Sequence, residues 1–242
     1  MSGVFLYIRL SINFLGVHVI LMTIAGIILI VLNIVLTKHK SLYPLLPYRY
    51  NFKKRRSTFR RALRLMSKTN AKTLIETGTA RHGLDGVKSN GAATIVFGTW
   101  AKKHNAKLHS VDISEQSIQN SYNEVKSQRL ETAVELCLSD SITFLEQFNN
   151  KVDFLYLDSY DYSSDPVVQE KSQDHHLKEF QAIEYRLHKN TIVLVDDCKL
   201  PGGGKGKKLI AYMLDRNWCI DMDKYQVLLL RNDFSLSDNY DY

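Results

Sequence analysis

Two acidic residues follow an apolar run in the middle of the chain. Asp158 comes directly after Val152–Leu157, and Asp161 lies three residues further on. A second apolar run ends in Asp196 and Asp197. Short apolar runs of this kind are typical of strands buried on both faces of a parallel sheet. Ligands of open α/β sheets bind beyond the carboxyl ends of the strands. We therefore expect three of these acids, Asp158, Asp196 and Asp197, to converge.

Three carboxylates in one small volume repel each other unless a cation lies among them. Oxygen ligands suit a hard divalent cation such as Mg²⁺. A cation bound there could coordinate a hydroxyl group of a ligand, lower the pKa of that hydroxyl and fix its position. The sequence therefore predicts a metal site at these three aspartates, with solvated acids at strand ends as the alternative. A base must then remove the hydroxyl proton. The candidate catalytic residues are Asp161, His175 and His176.

A glycine turn follows the first predicted strand. Gly78 comes two residues after Glu76, and glycine lets the backbone turn sharply and approach a ligand closely. Asp112 follows the next strand, where a carboxylate can accept hydrogen bonds from ribose hydroxyls. Asp140 and Ser141 follow a third strand. The alternatives are that Asp140 only caps a helix and that Asp112 is only a turn residue.

Strand-like and helix-like segments alternate from residue 73 to residue 230. This alternation predicts an α/β fold: a Rossmann-like, doubly wound, mostly parallel sheet with an antiparallel C-terminal edge hairpin. The predicted strands are 73–76, 107–111, 133–138, 152–157 and 191–195, with the hairpin near 218–221 and 226–230. The predicted helices are 94–104, 115–128, 141–148, 174–188 and 205–216.

The acids and the glycine turn resemble those of the class I S-adenosylmethionine-dependent methyltransferases, over roughly residues 73–233. Within that class, Asp158 with Asp196-Asp197 resembles the metal-dependent O-methyltransferases, in particular the branch of the macrocin-type sugar methyltransferases. The resemblance implies S-adenosylmethionine and Mg²⁺, or another divalent cation, as cofactors. The cofactor-binding residues that it implies are Glu76, Gly78, Thr79, Asp112, Asp140, Ser141 and Asp158.

The N-terminal region is strongly apolar. Leu10 to Thr37 contains no Asp, Glu, Lys or Arg, and about 20 apolar residues suffice to span a bilayer as a helix. A cleaved signal peptide is the competing interpretation. Basic residues are far more frequent after this segment than before it, which predicts a single-pass membrane protein with its domain in the cytosol. The basic residues concerned are Arg9 before the segment and Lys38, Lys40, Arg49, Lys53, Lys54, Arg55, Arg56, Arg60, Arg61 and Arg64 after it.

Composition and charge set the domain organisation. The 242 residues, with a formal net charge of +7, can hold one sizeable domain and an appendage. We expect a transmembrane anchor at 1–40, a basic juxtamembrane linker at 41–68, a methyltransferase domain at 69–233 and a polar tail at 234–242. The basic segment favours anionic lipid headgroups over nucleic acid. Three scattered cysteines favour a reducing compartment.

Two further segments could belong to the site. Residues 201–208 form a glycine-rich loop that lacks the spacing of a phosphate-binding loop. Its Lys205 could hold an anionic substrate group, or the loop could be a plain connector. Residues 163–173 are polar and carry Pro166, which is compatible with a substrate lid or with an inert surface loop.

The predicted reaction is metal-assisted methyl transfer from S-adenosylmethionine to a hydroxyl of a small molecule, sugar or lipid. Positioning of the acceptor oxygen dominates the rate of such a transfer. One alternative is a metal-independent methyltransferase that acts on protein or nitrogen nucleophiles. The other is a non-catalytic, membrane-bound nucleotide-binding adaptor.

Overall fold

A long apolar helix precedes the folded domain. The computed structural model describes residues 2–236, with side chains for 16–36 and 39–236. Helix α1 spans Ser2–Lys40, and within it Gly16–Leu36 is long and apolar enough to cross a membrane by length and composition. The side chains of Arg9 and Lys38, and the polar tail from residue 237 onward, lie outside this description.

The domain is built on one seven-stranded sheet with the order β3-β2-β1-β4-β5-β7-β6. Strands β1 to β5 are parallel, and β7 runs antiparallel between β5 and β6. The predicted Rossmann-like sheet with an antiparallel C-terminal hairpin is confirmed. The strands are β1 Thr73–Thr77, β2 Lys107–Asp112, β3 Val134–Leu138, β4 Val152–Leu157, β5 Leu187–Val195, β6 Trp218–Asp223 and β7 Val227–Arg231.

Helices cover both faces of the sheet, as the fully apolar central strands require. Buried residues of α2, α3 and α4 form one core against the sheet, and those of α5, α6 and α7 form a second core on the other face. The helices are α2 Arg56–Thr69, α3 Ala93–His104, α4 Glu115–Ser127, α5 Ser141–Gln147, α6 Pro166–Ile183 and α7 Lys207–Leu214.

Helix α6 begins eight residues earlier than the sequence predicted, and it ends earlier too. Most of the segment expected to be a polar loop or lid is therefore helical. Pro166 occupies the first helical turn, where its missing N–H is not needed, and the Asp165 side chain accepts a hydrogen bond from the Val167 backbone N–H. Of the polar residues in this stretch, Glu170 and Lys171 are exposed, whereas Ser172 and Gln173 are buried and donate hydrogen bonds to the carbonyls of Tyr160 and Gly202.

The segment expected to be a basic linker is largely part of the domain. Phe59 and Met66 of α2 are fully buried, as is Phe52 just before it. Phe59 makes edge-on contacts with the rings of Phe97 and Tyr156. The apolar side chains of α2 recur at helical spacing on one face of the helix. Its arginines face outward or form ion pairs. The domain therefore starts well before residue 69.

The chain between α1 and α2 also folds back on itself. The Phe52 backbone N–H donates to the Lys40 carbonyl at 3.0 Å, and Leu42 and Leu46 are buried. The Arg56 Nε donates to the Ser41 carbonyl at 2.8 Å. These contacts hold the end of α1 close to the start of α2.

Removing a buried side chain of α2 should destabilise the whole domain. We expect Leu65→Ala to lower the free energy of unfolding by about 2–5 kcal/mol, because Leu65 is 1% exposed and its loss leaves a cavity. Urea unfolding of the full chain in detergent micelles, followed by the fluorescence of the buried Trp100 and Trp218, measures this. The matched control Leu214→Ala, with a side chain 46% exposed on α7, should cost about 0.5 kcal/mol or less. Equal losses in the two variants would contradict the assignment of α2 to the core.

Candidate active site

The carboxyl ends of β4 and β5 bring the predicted acids together. Asp158 follows β4 and Asp196 and Asp197 follow β5, and these neighbouring strands are in parallel register. Asp196 is completely buried, whereas the Asp158 and Asp197 side chains are 21% and 17% exposed. The three acids form one cluster, which we call the acid cluster.

Arg55 enters the acid cluster from the turn before α2. Its Nε donates to Asp196 Oδ2 at 2.7 Å, and its Nη2 donates to Asp197 Oδ1 at 3.1 Å. Its Nη1 donates to the Ser89 carbonyl. The Arg55 side chain is 5% exposed. A buried guanidinium with its donors matched in this way neutralises charge that would otherwise oppose folding.

Lys205 supplies the second cation. Its Nζ lies 2.6 Å from Asp158 Oδ1 and 3.5 Å from Asp197 Oδ2, and its side chain is 4% exposed. The preceding Gly204, at φ +64°, allows this approach: a Cβ there would lie 2.2 Å from the Asp197 carbonyl oxygen. The glycine-rich loop thus delivers an ammonium group to the carboxylates of the acid cluster, whereas the sequence suggested that Lys205 could hold an anionic substrate group.

Two tyrosines complete the hydrogen bonding. Tyr156, on β4, donates to Asp196 Oδ2 at 2.5 Å. Tyr225, in the turn before β7, donates to Asp197 Oδ1. The Asp197 backbone is held at φ +52°, in the left-handed region, and such strain in a non-glycine residue clusters at functional sites.

The pKa values of two carboxyl groups in the cluster are shifted in opposite directions. Burial alone would raise the pKa of Asp196, but Arg55 and the Tyr156 hydrogen bond outweigh it and hold that pKa below its usual range. Burial raises the pKa of Asp158 well above its usual range, and Asp196 and Asp197 add to this against the opposing effect of Lys205. Asp158 is therefore the more basic carboxylate of the two.

The acid cluster does not fit the divalent metal ion that the sequence predicted. Its oxygens suit Mg²⁺ chemically, but Arg55 and Lys205 already neutralise them. Among the described residues, one group of three His, Cys, Asp or Glu ligand atoms lies within 4.8 Å of one another, and it consists of His109, Glu135 and Cys137 on β2 and β3. The ligand atoms of the three aspartates are more widely spread.

The glycine turn after β1 packs tightly against the end of β4. Gly78 has φ +82°, and a Cβ there would lie 2.5 Å from the Asp158 carbonyl oxygen. Asp112 accepts hydrogen bonds from the backbone N–H groups of Thr79 at 3.1 Å and Ser114 at 2.9 Å, which fix its carboxylate beside the turn. Thr79 is itself buried and hydrogen-bonds Ser121. This is a narrow, backbone-lined cradle of the kind that a nucleoside cofactor requires.

Glu76 lies beneath the cradle, completely enclosed. Burial raises its pKa to about 8, although Ser110, whose hydroxyl donates to Glu76 Oε2 at 2.6 Å, partly counters the shift. The carboxyl group is therefore largely protonated at neutral pH.

Two cavities meet at the cradle and share Gly78, Asp112 and Ser159. The first, of about 170 Å³, joins the cradle to the acid cluster. The second, of about 300 Å³, extends along the β2 and β3 ends. The first cavity is also lined by Glu76, Thr79, Arg81, Asp158, Asp161, Asp197, Lys205 and Tyr225. The second is also lined by Val111, Ile113, Asp140, Ser141, Tyr160 and His175.

The predicted bases fall in three different environments. Asp161 lines the first cavity but accepts a hydrogen bond from Arg81 at 2.8 Å, which lowers its pKa and makes it a weak base. His175 lines the second cavity, where its Nε2 lies 3.1 Å from the Ser141 hydroxyl. His176 is completely enclosed, and burial lowers its pKa to about 4. Within the described residues, His176 lines neither cavity. The prediction that His176 could act as a base is therefore corrected.

Sequence reasoning missed the partners of the acid cluster. Arg55 was counted with the basic surface residues, although the apolar spacing of Phe59, Leu63 and Met66 signalled a buried helix next to it. Tyr156 was hidden inside an apolar strand pattern. Nothing in the sequence indicated that Tyr225 would contact Asp197.

The comparisons with known proteins agree with this geometry. Residues 86–198 match a family described as "Methyltransferase domain". A candidate caffeoyl-CoA O-methyltransferase from Staphylococcus aureus is similar in fold, with a TM-score of 0.52 and 16% identity, covering 73% of this chain and 83% of its own. An SAH-bound methyltransferase from Podospora anserina has a TM-score of 0.52, 14% identity and coverages of 73% and 78%. An O-methyltransferase from Bacillus cereus in complex with SAH has a TM-score of 0.51, 12% identity and coverages of 72% and 80%.

The chain has no sequence match among curated proteins. At these identities the structural likenesses define the fold. Together with the family match over residues 86–198 they confirm the resemblance, predicted from the sequence, to the class I, S-adenosylmethionine-dependent methyltransferases.

Asp140 tests whether the second cavity holds the cofactor. The Asp140 side chain caps α5 by accepting from the Thr143 N–H at 2.9 Å, and Asp165 caps α6 in the same way. We expect each Asp→Ala change to cost about 1 kcal/mol of stability. Asp140→Ala should also weaken binding of S-adenosylmethionine by roughly 10-fold, the loss expected for one hydrogen bond. Isothermal titration calorimetry measures the affinity, and a similar affinity for both variants would restrict Asp140 to capping.

Glu76 should make stability depend on pH. The folded pKa of about 8 lies above the ordinary value of 4.5. The folded state thus binds more protons than the unfolded state between these values, and stability falls as pH rises from 5 to 8, by at most about 1.4 kcal/mol per pH unit. We expect Glu76→Gln to flatten this slope in urea titrations without cofactor. The control Glu115→Gln, at an exposed position, should leave the slope unchanged.

Proposed function

We propose that the protein transfers the methyl group of S-adenosylmethionine to a hydroxyl of a small molecule, sugar or lipid. The observation that carries this proposal is the first cavity, which joins the cofactor cradle to the acid cluster. A hydroxyl placed there would face the cradle on one side and a basic carboxylate on the other. Two of the structures similar in fold are described as O-methyltransferases, which supports an oxygen acceptor.

The residues of the cradle would hold the cofactor. Asp112 suits the ribose hydroxyls, and the second cavity, with its apolar Val111 and Ile113, suits the base. Gly78 suits the methionine end, because only glycine leaves room there. Glu76, Thr79 and Ser141 would support these contacts, and Asp158 would border them from β4. When bound, the cofactor supplies an electrophilic methyl group on a sulfonium and keeps the carbon–sulfur electron pair.

Asp158 is the proposed proton acceptor. Its carboxylate lines the first cavity, and burial raises its pKa, which makes it a stronger base than an exposed carboxylate. The acceptor oxygen would lose its proton to Asp158 as it forms the bond to the methyl carbon. Asp161, with a pKa lowered by Arg81, is the weaker candidate, and His175 lies on the cofactor side.

No step of this reaction is assigned to Mg²⁺. The predicted metal ligands Asp158, Asp196 and Asp197 are engaged by Arg55 and Lys205, and this argues against a divalent cation among them.

The acidic lining of the first cavity favours a second candidate acceptor, an amine nitrogen, because an ammonium group is attracted to carboxylates.

We further propose that α1 anchors the protein in a membrane with the domain in the cytosol. The excess of basic residues after Gly16–Leu36 supports this orientation. Fewer of them are available for lipid headgroups than the sequence suggested, because Arg55 and Arg61 form ion pairs with acids of the domain. Lys53, Arg60 and Arg64 remain exposed.

Substitution of Asp158 tests the proposed reaction. Full-length protein in micelles is assayed for cofactor-dependent methylation of a panel of phenols, sugars, lipids and amines. We expect Asp158→Asn to reduce turnover by roughly 10²–10⁴-fold, the contribution of a positioned base, while the affinity for S-adenosylmethionine changes little. Asp161→Asn, three residues away on the same cavity, is the matched control and should retain most activity. Methylation of amines alone would replace the hydroxyl by the second candidate.

A further inference from the structure

Two cations of the chain itself, Arg55 and Lys205, neutralise the acid cluster. They differ in how far fixed partners already engage their nitrogen atoms. Both cations line the first cavity, but three nitrogen atoms of Arg55 already donate to fixed partners, which are Asp196, Asp197 and the Ser89 carbonyl. Lys205 lies between Asp158 and Asp197. An ammonium group has three N–H donors. With Asp158 and Asp197 as two partners, the third donor of Lys205 is available to the first cavity.

The charge of the cluster is nearly balanced. Two cations against three carboxylates leave about one net negative charge. A divalent ion added to this arrangement would turn it positive, and it would have to displace the ammonium from the oxygen of Asp158 at 2.6 Å. Since Asp158 and Asp197 have one oxygen each turned toward Lys205, the ammonium occupies the position between strands β4 and β5 that a cation bound by these acids would take.

We infer that Lys205 replaces the divalent cation in this enzyme and holds the acceptor oxygen in the first cavity, so that methyl transfer requires no metal ion. This inference rests on the proposed function for the identity of the acceptor. The ammonium would donate a hydrogen bond to the hydroxyl and to the negative charge that develops on its oxygen, as an oxyanion donor does. The proton still passes to Asp158, and Lys205 keeps its own proton throughout.

The loop geometry supports this role. Gly204 allows the loop to pass over the Asp197 carbonyl, and the Lys205 N–H donates to that same carbonyl at 3.2 Å. Gly206 lies against Cys198 and Ile210, where a Cβ would approach to 2.8 Å. The backbone on both sides of Lys205 is thus held against the end of β5, and its side chain enters the cavity from a fixed base.

Binding of Mn²⁺ tests the inference without knowledge of the acceptor. The probe is Mn²⁺ alone, added to the full chain in micelles and followed by the loss of its free-ion electron paramagnetic resonance signal. We expect the wild type to bind none up to about 1 mM, the weak end of protein sites for hard divalent cations. Lys205→Met removes the ammonium at similar length and should create a Mn²⁺ site. Lys205→Arg, which keeps a cation, should not create a site. Lys208→Met, which removes a lysine of α7 that pairs with Asp174 of α6, should not create one either.

Several results would overturn the inference. The first is a Mn²⁺ site in the wild type that Asp158→Asn abolishes. The second is that neither the wild type nor Lys205→Met binds Mn²⁺. The third is that EDTA abolishes turnover and added Mg²⁺ restores it. The wild-type measurement decides even if a variant fails to fold. Turnover on hydroxyls combined with a wild-type Mn²⁺ site that Asp158→Asn abolishes would reject the inference and leave the proposed function standing. Failure to methylate any hydroxyl would reject the function, whereas the Mn²⁺ result would still decide whether Lys205 excludes a metal.

With an acceptor in hand, Lys205 can be separated from structural residues. We expect Lys205→Met to reduce kcat by roughly 10²–10³-fold, as for loss of an oxyanion donor, with the affinity for S-adenosylmethionine within about threefold of wild type. Lys208→Met should leave kcat unchanged. Loss of cofactor affinity in parallel with kcat would show that Lys205 only supports the fold of the cradle, and would contradict its contact with the acceptor.

Discussion

The buried ion pairs between Arg55 and the two aspartates that follow β5 are the constraint on which the rest of the site depends. Asp196 has no exposed surface, and an unpaired carboxylate there would cost several kcal/mol. Loss of one partner of a buried pair is correspondingly severe, because it leaves the other charge uncompensated. The position of Arg55 therefore decides where α2 can begin, and α2 in turn covers one face of the sheet.

Close backbone approaches shape the site as much as charge does. Gly78 brings the cofactor cradle against the end of β4, and Gly204 brings the glycine-rich loop against the end of β5. Both glycines have positive φ, and both lack room for a Cβ. The two loops thus pack against neighbouring strand ends, and both contribute residues to the lining of the first cavity. Asp197, itself in the left-handed region, lies where the loops and the ion pairs meet.

The sequence was most informative where periodicity and strand-end chemistry act locally. The parallel strands, the hairpin and the convergence of Asp158 with Asp196 and Asp197 follow from apolar runs that end in acids. It was less informative where a distant segment supplies the partner. Nothing local to Asp196 indicates that its counter-ion comes from Arg55, 141 positions away. The expectation of a metal arose for this reason: the repulsion among the acids was correctly anticipated, but the cations that relieve it lie elsewhere in the chain.

The return of the chain between α1 and α2 has a mechanical consequence. With a flexible linker of about a dozen residues, the distance between a catalytic domain and the bilayer could vary by tens of ångströms. Here the hydrogen bond from Phe52 to Lys40 and the burial of Leu42 and Leu46 remove that slack. Arg55, only three residues beyond Phe52, carries the same rigidity into the active site. With α1 inserted as proposed, the reaction centre would stand at a fixed height above the lipid surface, and that height would select acceptors by how far they protrude from the membrane.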